Sequence, residues 1–363
     1  MDAIRAAAVS DIASLVRLEN MVFDSDRLNA RRFRYFLHND KSELWVVGKP
    51  VTAYALVMFH RGTGLARLYS IAVHPDNRGN GIASLLLDHI EQRVLARTSL
   101  VLRLEVKVDN EAAIRLYQKR GYKKVADLSH YYEDGTDGLK MEKRLQPIVK
   151  VPDNVCYYPQ STPFTCGPAS LLMAMHSLKP TVTISTIEEL NIWRESTTVY
   201  LTTGHGGTSP QGLALAAKSR GFDVELWLSS TEVPFLNSVR DAHKREVMTL
   251  VAEDFDRRCQ QQGIVPQPFP ANLDKIEETL RDGGRILLLI STYRLNRNKA
   301  PHWIWLVAMN DEYAFVNDPD IDDDQDSFDN SFVPISRLNL NKMMQYGKNQ
   351  LKAAVILRSA IGT

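Results

Sequence analysis

The segment at residues 68–83 limits the fold more than any other. It reads as an apolar strand, a glycine-containing turn and the start of a helix. The segment is LYSIAVHPDNRGNGIA, and its helix is predicted to begin at about Gly81. Backbone N–H groups at a helix N-terminus lack partners, and the helix dipole favours an anion beside them. Glycines let a pyrophosphate approach the main chain closely, and Arg78 adds a positive charge. The segment therefore predicts an α/β unit with an anion site at this helix start.

Short strands alternate with amphipathic helices through residues 1–146. The predicted strands are 44–47, 52–59, 65–73, 100–106 and 139–145, and the predicted helices begin at Ile12, Ile82 and Glu111. Several strands precede the glycine turn, whereas a dinucleotide-binding loop follows a single initial strand. A Gly-x-Gly sequence alone is a weak signal, so this surrounding pattern decides against a dinucleotide site.

The sequence QPIVKVP at residues 146–152 interrupts the alternation with two prolines. A chain of 363 residues is long for one hydrophobic core and comfortable for two. We therefore predict two domains, at residues 1–146 and 151–363.

The composition indicates a cytoplasmic protein without a nucleic-acid or membrane partner. Lys and Arg total 44 against 43 for Asp and Glu, whereas binding to nucleic acid or a membrane surface needs excess positive charge. No apolar run approaches the length of a membrane span. The three cysteines, Cys156, Cys166 and Cys259, suit free thiols in a reducing compartment. The sequence makes no prediction of the oligomeric state.

Two ordered motifs in the first predicted domain resemble those of the GNAT superfamily of N-acetyltransferases. Residues 78–83, RGNGIA, are similar to its acetyl-CoA motif, and residues 104–122, LEVKVDNEAAIRLYQKRGY, are similar to its second motif. The segment most resembles the ribosomal-protein alanine N-acetyltransferases, which modify protein N-termini. The resemblance implies a mixed, mostly antiparallel sheet flanked by helices, acetyl-CoA as cofactor, and a peptide or protein amine as acceptor.

The resemblance also implies roles for individual residues. Main-chain groups of Ile71 and Val73 would hold the pantetheine arm and thioester, and Asn110 would hydrogen-bond the cofactor. Tyr117 would protonate the departing CoA thiolate, and Glu105 would take a proton from the acceptor ammonium. A carboxylate in a partly apolar cleft is expected to have a raised pKa, which suits a base near neutral pH. The pyrophosphate cradle would be formed by Arg78, Gly79, Asn80, Gly81, Ile82 and Ala83.

Several of these residues could instead have purely structural roles. Glu105 is otherwise a solvated strand residue, and Tyr117 is otherwise part of an apolar helix face. The segment 23–36 lies where the family has its substrate loop, and its three arginines could hold an acidic peptide or form a solvated helix face. Those arginines are Arg31, Arg32 and Arg34.

The second predicted domain carries a thiol at a helix start. Cys166 is followed by Gly167 and Pro168, which suit a tight entry into a helix over residues 169–178. The helix dipole would stabilise a thiolate there. Gln160 lies six residues earlier and could donate its amide to a developing oxyanion. A lone cysteine at a helix start is usually structural, so a catalytic role requires a base.

A predicted hairpin near the end of the chain supplies that base. One strand contains His302, a turn lies at about residue 310, and the returning strand ends at Asp318. This register places His302 opposite Asp318, to within one residue. Opposed side chains have Cβ atoms about 5 Å apart, close enough for a carboxylate to orient an imidazole.

The set Gln160, Cys166, His302 and Asp318 resembles that of the bacteriocin-processing, double-glycine leader peptidases, a papain-like family. The resemblance implies an oxyanion donor, a nucleophile, a general base and an orienting carboxylate, in that order. Residues 231–270 look like an insertion relative to that family. The acidic run at 320–326 lacks the glycine and glutamate of an EF-hand loop, so no metal site is predicted.

Together these features predict a bifunctional enzyme that acetylates an amine and cleaves a peptide. Two alternatives remain for the second domain. It could bind the peptide without cutting it, or its thiol could transfer an acyl group to an amine, as a ligase or cyclase does. An acyl-enzyme is common to hydrolysis and ligation, so the sequence does not separate them.

Overall fold

The structure is a computed structural model, and it describes residues 3–146, 151–201, 204–296, 300–320 and 330–360. The chain divides into two units, residues 1–148 and 149–363. The predicted domain boundary at 147–150 lies outside the described residues, as does the acidic run after Asp320. Within the described residues, no helix combines the length and the apolar composition needed to cross a membrane.

The first unit alternates strands and helices much as the sequence predicts. Its strands are β1 (Ile4–Ala6), β2 (Ser42–Val47), β3 (Ala53–Phe59), β4 (Leu65–Val73), β5 (Val101–Lys107), β6 (Lys123–Leu128) and β7 (Gly138–Arg144). Its helices are α1 (Ile12–Val22), α2 (Ala30–His38), α3 (Ile82–Ala96) and α4 (Glu111–Lys119). The strands form one mixed sheet in the order β1-β2-β3-β4-β5-β7-β6.

Helices cover both faces of this sheet, and β3 shows the consequence. Ala53, Ala55 and Val57 join a core that includes α3, whereas Tyr54 and Leu56 join a core that includes α1 and α2. A strand that is buried on both faces needs a continuous apolar sequence, and β3 is AYALVMF. The fold class predicted for this domain is confirmed.

The sheet opens between its two parallel strands. Strands β4 and β5 pair from Leu65 and Val101 as far as Leu68 and Leu104, although β4 continues to Val73 and β5 to Lys107. A shift in the β3–β4 register, between the pairs of Leu56 and Val57, inserts an extra β4 residue at this point. Bulges bend the strand that carries them, so β4 leaves β5 here and a cleft begins.

The second unit contains a second seven-stranded sheet, in the order β11-β10-β16-β12-β13-β14-β15. The strands of this unit are β8 (Tyr200–Leu201), β9 (Gly204–His205), β10 (Phe222–Leu228), β11 (Gln267–Pro268), β12 (Arg285–Ser291), β13 (Pro301–Met309), β14 (Tyr313–Asn317), β15 (Val333–Ser336) and β16 (Ala353–Ser359). Its helices are α5 (Cys166–Leu178), α6 (Thr186–Ser196), α7 (Pro210–Ser219), α8 (Ala242–Gln261), α9 (Asp274–Arg281), α10 (Tyr293–Asn296) and α11 (Arg337–Met343).

Helix α5 packs against β12 and β13, and a glycine at its second residue allows a close approach. A Cβ at Gly167 would lie 2.1 Å from Thr208 Oγ1 and 3.2 Å from a ring carbon of Trp303. The indole Nε1 of Trp303 donates to the carbonyl of Thr208 at 3.2 Å. The start of α5 is therefore held against the strand that also carries His302. The segment predicted as an insertion contains α8, which packs against α7.

The predicted register of the β13–β14 hairpin is wrong by two residues. Trp305 pairs with Asn317, and a bulge shifts the ladder between Leu306 and Ala308. This register places His302 two residues from the position opposite Asp318. An even shift keeps both residues on one face of the hairpin, because side chains alternate with a period of two. Diagonal neighbours of this kind remain within reach of each other.

Candidate functional sites

The glycine turn before α3 forms an open cradle of main-chain groups. Gly79 and Gly81 both adopt left-handed conformations, with φ of 79° and 77°. The N-cap of α3 is Gly81, and no side chain caps this helix start. Arg78 and Asn80 are exposed beside the turn, Ile82 is buried, and Ala83 is half-buried. Unpaired N–H groups, a helix dipole and an adjacent guanidinium suit the pyrophosphate of acetyl-CoA.

The cleft between β4 and β5 offers a second set of main-chain groups. The N–H of His74 donates to the carbonyl of Thr52, so His74 faces β3. Main-chain groups of successive strand residues point to opposite sides, so those of Val73 and Ile71 point away from β3 into the cleft. The structure thus leaves an edge of β4 at which an extended pantetheine arm fits.

Glu105 lies on β5 just beyond the last β4–β5 pair, but its surroundings differ from the partly apolar cleft that the sequence predicts. Its carboxylate accepts a hydrogen bond from Arg67 Nε at 2.7 Å, and Lys140 Nζ lies 3.7 Å from Oε1. The side chain is only 5% exposed. Glu105 is therefore held in a buried ion-pair cluster with Arg67 and Lys140.

A group of tyrosines lines the same region, and the sequence reasoning found only one of them. Tyr117 is buried on α4, its ring centroid lies 5.6 Å from that of Tyr122, and burial raises the pKa of its phenol. Tyr131 accepts a hydrogen bond from Arg67 at 2.6 Å. Burial raises the pKa of Tyr132, and Glu105 raises it further. Tyr131 and Tyr132 sit in the loop between β6 and β7, which has no recognisable motif.

Two other predicted features have plain structural roles. Asn110 is the N-cap of α4, and its side chain accepts from the N–H of Ala113 at 3.2 Å. The three arginines of α2 are exposed, whereas Phe33 and Phe36 of the same helix are buried. This is the arrangement of a solvated helix face. The arginines are Arg31, Arg32 and Arg34.

Replacing Gly81 by alanine is expected to weaken acetyl-CoA binding about 10-fold or more. A Cβ at Gly81 would meet nothing within 4 Å, so it disturbs no packing and projects into the open cradle instead. A non-glycine residue with positive φ adds strain of about 1–2 kcal/mol. Isothermal titration calorimetry with acetyl-CoA measures the change in Kd.

Gly121→Ala is the matched control for this substitution. Gly121 also has a positive φ, of 86°, and open space around its Cβ, but it follows the C-terminal end of α4. We expect a similar loss of thermal stability and an unchanged Kd. Equal affinities for the two variants would contradict the placement of the pyrophosphate.

The second site joins Cys166, His302 and Asp318, as the sequence predicts. His302 Nε2 lies 2.5 Å from Asp318 Oδ1, and the same ring interacts with the thiol of Cys166. Since Nε2 of His302 faces the Asp318 carboxylate, Nδ1 is the ring nitrogen that can interact with the Cys166 sulfur. Burial lowers the pKa of His302, but Asp318 and Cys166 raise it more, and the net pKa lies well above its ordinary value. The arrangement favours the protonated imidazolium form of His302.

Local sequence explains these positions. Cys166 is the first residue of α5. His302 is the second residue of β13, and Asp318 directly follows β14. Cys166 is 8% exposed, so any molecule that reaches its sulfur must enter a restricted space.

Gln160 lies beside this group, but its described side-chain bond does not go to Cys166. Its amide Nε2 donates to Asp320 Oδ1 at 3.0 Å. Its backbone N–H donates to the carbonyl of Pro319 at 2.9 Å. The sequence shows Asp320 only as the first residue of an acidic run, and nothing in that run predicts this contact with Gln160.

The other two cysteines have environments that suppress the thiolate. Burial raises the pKa of Cys156. Burial, with a smaller effect from Asp256, raises the pKa of Cys259 to about 12. All three cysteines are free. Among the residues that the structure describes, no group of three or more His, Cys, Asp or Glu side chains is placed to hold a metal ion.

Curated proteins similar to this chain match a short stretch of it. An acetyltransferase of Pectobacterium atrosepticum is 41% identical over 66 residues, which are 18% of this chain and 44% of that protein. An acetyltransferase of Sodalis glossinidius is 41% identical over 63 residues, 17% of this chain and 42% of that protein. The chain thus spans less than half the length of these relatives.

A solved structure, the ribosomal-protein-S18-alanine N-acetyltransferase from Escherichia coli, is similar over 41% of this chain and 97% of its own. Its sequence identity is 23% and the TM-score is 0.38.

Family comparisons cover both units. Residues 11–122 match the Acetyltransferase (GNAT) family, whose cofactor is acetyl-CoA. Residues 155–358, more than half of the chain, match the Peptidase_C39 like family. The chain therefore belongs to the Peptidase_C39 like family, and it carries a GNAT acetyltransferase domain ahead of the region that defines that membership.

Proposed function

We propose that the chain is a bifunctional enzyme that acetylates a peptide or protein amine with acetyl-CoA and cleaves a peptide with Cys166. The observation that carries the second activity is the contact of His302 with both Asp318 and Cys166 at the start of α5. The first activity rests on the GNAT family match and on the open cradle before α3. The predicted domains, 1–146 and 151–363, would each hold one of the two sites.

In the acetyl transfer, the cofactor supplies an activated acetyl thioester when bound. Glu105 takes a proton from the acceptor ammonium, directly or through water, which frees the amine lone pair for attack. Arg67 and Lys140 hold the Glu105 carboxylate in place through ion pairs. Tyr117 retains its proton at neutral pH because burial raises its pKa, so it can donate that proton to a leaving thiolate.

In the peptidase reaction, the Cys166 thiolate attacks the carbonyl carbon of the scissile bond, and an S–C bond forms. Gln160 would donate to the oxyanion that develops. When the C–N bond breaks, the imidazolium of His302 gives its proton to the departing amine. His302 then takes a proton from water, which attacks the thioester and releases the new carboxylate. Asp318 orients the ring throughout and stabilises its charged form.

Two alternatives concern only the fate of the peptide. A domain that binds without cutting would leave the library described below acetylated and unshortened. A ligase or cyclase would use the same thioester but release it to an amine instead of water. The intact set of Cys166, His302 and Asp318 favours a reacting thiol over a binding module.

Mass spectrometry of a peptide library incubated with the full chain and acetyl-CoA tests this proposal. We expect acetylated peptides, shortened peptides and a shared sequence preference among the shortened ones. A library that gains acetyl groups but is never cut would show that the second domain is a recognition module. A library that is cut but never acetylated would contradict the proposed acetyltransferase activity.

A further inference from the structure

The segment from Asp318 to Asp320 is tied to the peptidase site by several hydrogen bonds. Asp318 Oδ1 contacts His302 Nε2 at 2.5 Å and also accepts from the backbone N–H of Asp320 at 3.0 Å. The carbonyl of Asp318 accepts from the Tyr157 hydroxyl at 2.9 Å. The hydrogen bonds from the Asp320 N–H and the Tyr157 hydroxyl therefore hold Asp318, whose carboxylate orients the imidazole, in place.

This segment also holds Gln160, through both its backbone and its side chain. Pro319 accepts from the Gln160 N–H at 2.9 Å, and Asp320 Oδ1 accepts from Gln160 Nε2 at 3.0 Å. Gln160 Oε1 is buried and has no hydrogen-bond partner among the described residues. The carboxylate of Asp320 is thus the described group that sets which way this amide faces.

Only one orientation of the Gln160 amide can make a hydrogen bond to the Asp320 carboxylate. An amide has nearly the same shape in both orientations, but only its nitrogen can donate. Turning the amide over would place Oε1 against the Asp320 carboxylate, and two acceptors repel each other. The contact therefore selects the orientation in which Nε2 faces Asp320. One N–H of Nε2 donates to the Asp320 carboxylate, and the second N–H remains to donate elsewhere.

We propose that Asp320 is a positioning residue for the oxyanion donor: it holds the Gln160 amide with Nε2 forward, as Asp318 holds the imidazole of His302. The proposal rests on the peptidase function proposed above and adds a residue to it. One three-residue segment then aligns the general base and the oxyanion donor together.

Two reagents separate oxyanion stabilisation from thiol reactivity. Attack of Cys166 on a p-nitrophenyl ester forms an S–C bond at a carbonyl carbon, passes through an oxyanion and expels p-nitrophenolate. Attack on iodoacetamide forms an S–C bond at a saturated carbon, expels iodide and develops no oxyanion. A residue that acts through Gln160 should affect the first reaction and spare the second.

The test compares both rates for Cys166 in the full chain, with Gln160→Ala, Asp320→Ala, Asp320→Asn and the double variant Gln160→Ala/Asp320→Ala. Loss of an oxyanion donor lowers rates by about 100-fold or more, and a misplaced donor should lose about 10-fold. We expect Asp320→Ala to lower ester acylation about 10-fold and leave alkylation within about twofold. Asp320→Asn, which keeps an accepting oxygen, should retain most of the rate. The double variant should equal Gln160→Ala.

Asp311→Ala is the control, since this exposed acid lies in the turn at the other end of the same hairpin. Unchanged or faster acylation in Asp320→Ala would overturn the proposal, and a faster rate would mean that the carboxylate blocks the site. Additive losses in the double variant would also overturn it. If wild-type Cys166 reacts no faster than Cys156 with either reagent, the proposed peptidase function is wrong. The proposal for Asp320, which rests on that function, is then wrong as well.

Discussion

Cys166→Ala is expected to lower peptide cleavage by at least about 10³-fold, because the nucleophile is removed and no other described thiol can replace it. Alanine is a good helix former, so α5 should persist. The other two cysteines have raised pKa values, and Cys259 in particular is buried on α8. The measurement is the initial rate of product formation on a cleaved library peptide, followed by mass spectrometry.

Cys156→Ala serves as the matched control for the nucleophile. It also removes a partly buried thiol from the second unit, but its sulfur is not in contact with His302 among the described interactions. Cleavage by this variant should stay near the wild-type rate, and both variants should acetylate normally. Residual cleavage by Cys166→Ala above about one tenth of wild type would show that another group performs the reaction.

Glu105→Gln is expected to lower the rate of acetyl transfer by about 10²-fold or more, with an unchanged Kd for acetyl-CoA. Glutamine preserves the shape of the side chain but cannot take a proton from an ammonium group. The turn before α3, where we propose that the pyrophosphate binds, does not include Glu105, so cofactor affinity should not change. Release of the free CoA thiol in the presence of an acceptor peptide reports kcat.

Glu142→Gln provides the control, because Glu142 is a buried, ionised carboxylate on the neighbouring strand. Burial raises the pKa of Glu142, but Arg103 and Arg144 lower it more, and the net pKa is below normal. Arg103 contacts it at 2.9 Å, much as Arg67 contacts Glu105. This variant should lose stability and keep its rate per folded molecule. A Glu105→Gln variant that is as active as Glu142→Gln would exclude Glu105 as the base.

Local patterns predicted the elements that carry motifs. The bounds of β4 and α3 agree with the sequence prediction, because the apolar pattern of each element begins after a glycine-containing turn, at 62–64 for β4 and at 79–81 for α3. The helix predicted at 169–178 begins three residues earlier in the structure, at Cys166, so Gly167 and Pro168 lie inside the first turn of α5 and not before it. By contrast, β6 (Lys123–Leu128) is largely polar and exposed and pairs only with β7, so its sequence has no strand periodicity.

Features that depend on strand pairing could not be predicted. The cations around Glu105 come from β4 and β7, and Lys140 is its direct cross-strand partner. The hairpin register differs because the turn is centred between Asp311 and Glu312 and not at residue 310, and the bulge near Val307 offsets only one residue of that shift. The Gln160–Asp320 contact joins residues far apart in the chain. For Glu105 and Gln160, the sequence singled out the candidate residue and the structure supplied its ionic or hydrogen-bond partners.

The most direct test of the bifunctional account repeats the library experiment in water labelled with heavy oxygen. Hydrolysis at Cys166 predicts shortened peptides whose new C-terminal carboxylates carry the label, together with acetylated amines. Cys166→Ala should remove only the labelled carboxylates, and Glu105→Gln should remove only the acetyl groups. Peptides in which the carbonyl at the cleavage point is joined to an amine, without label, would show that an amine releases the thioester. A library with no Cys166-dependent product would contradict the account.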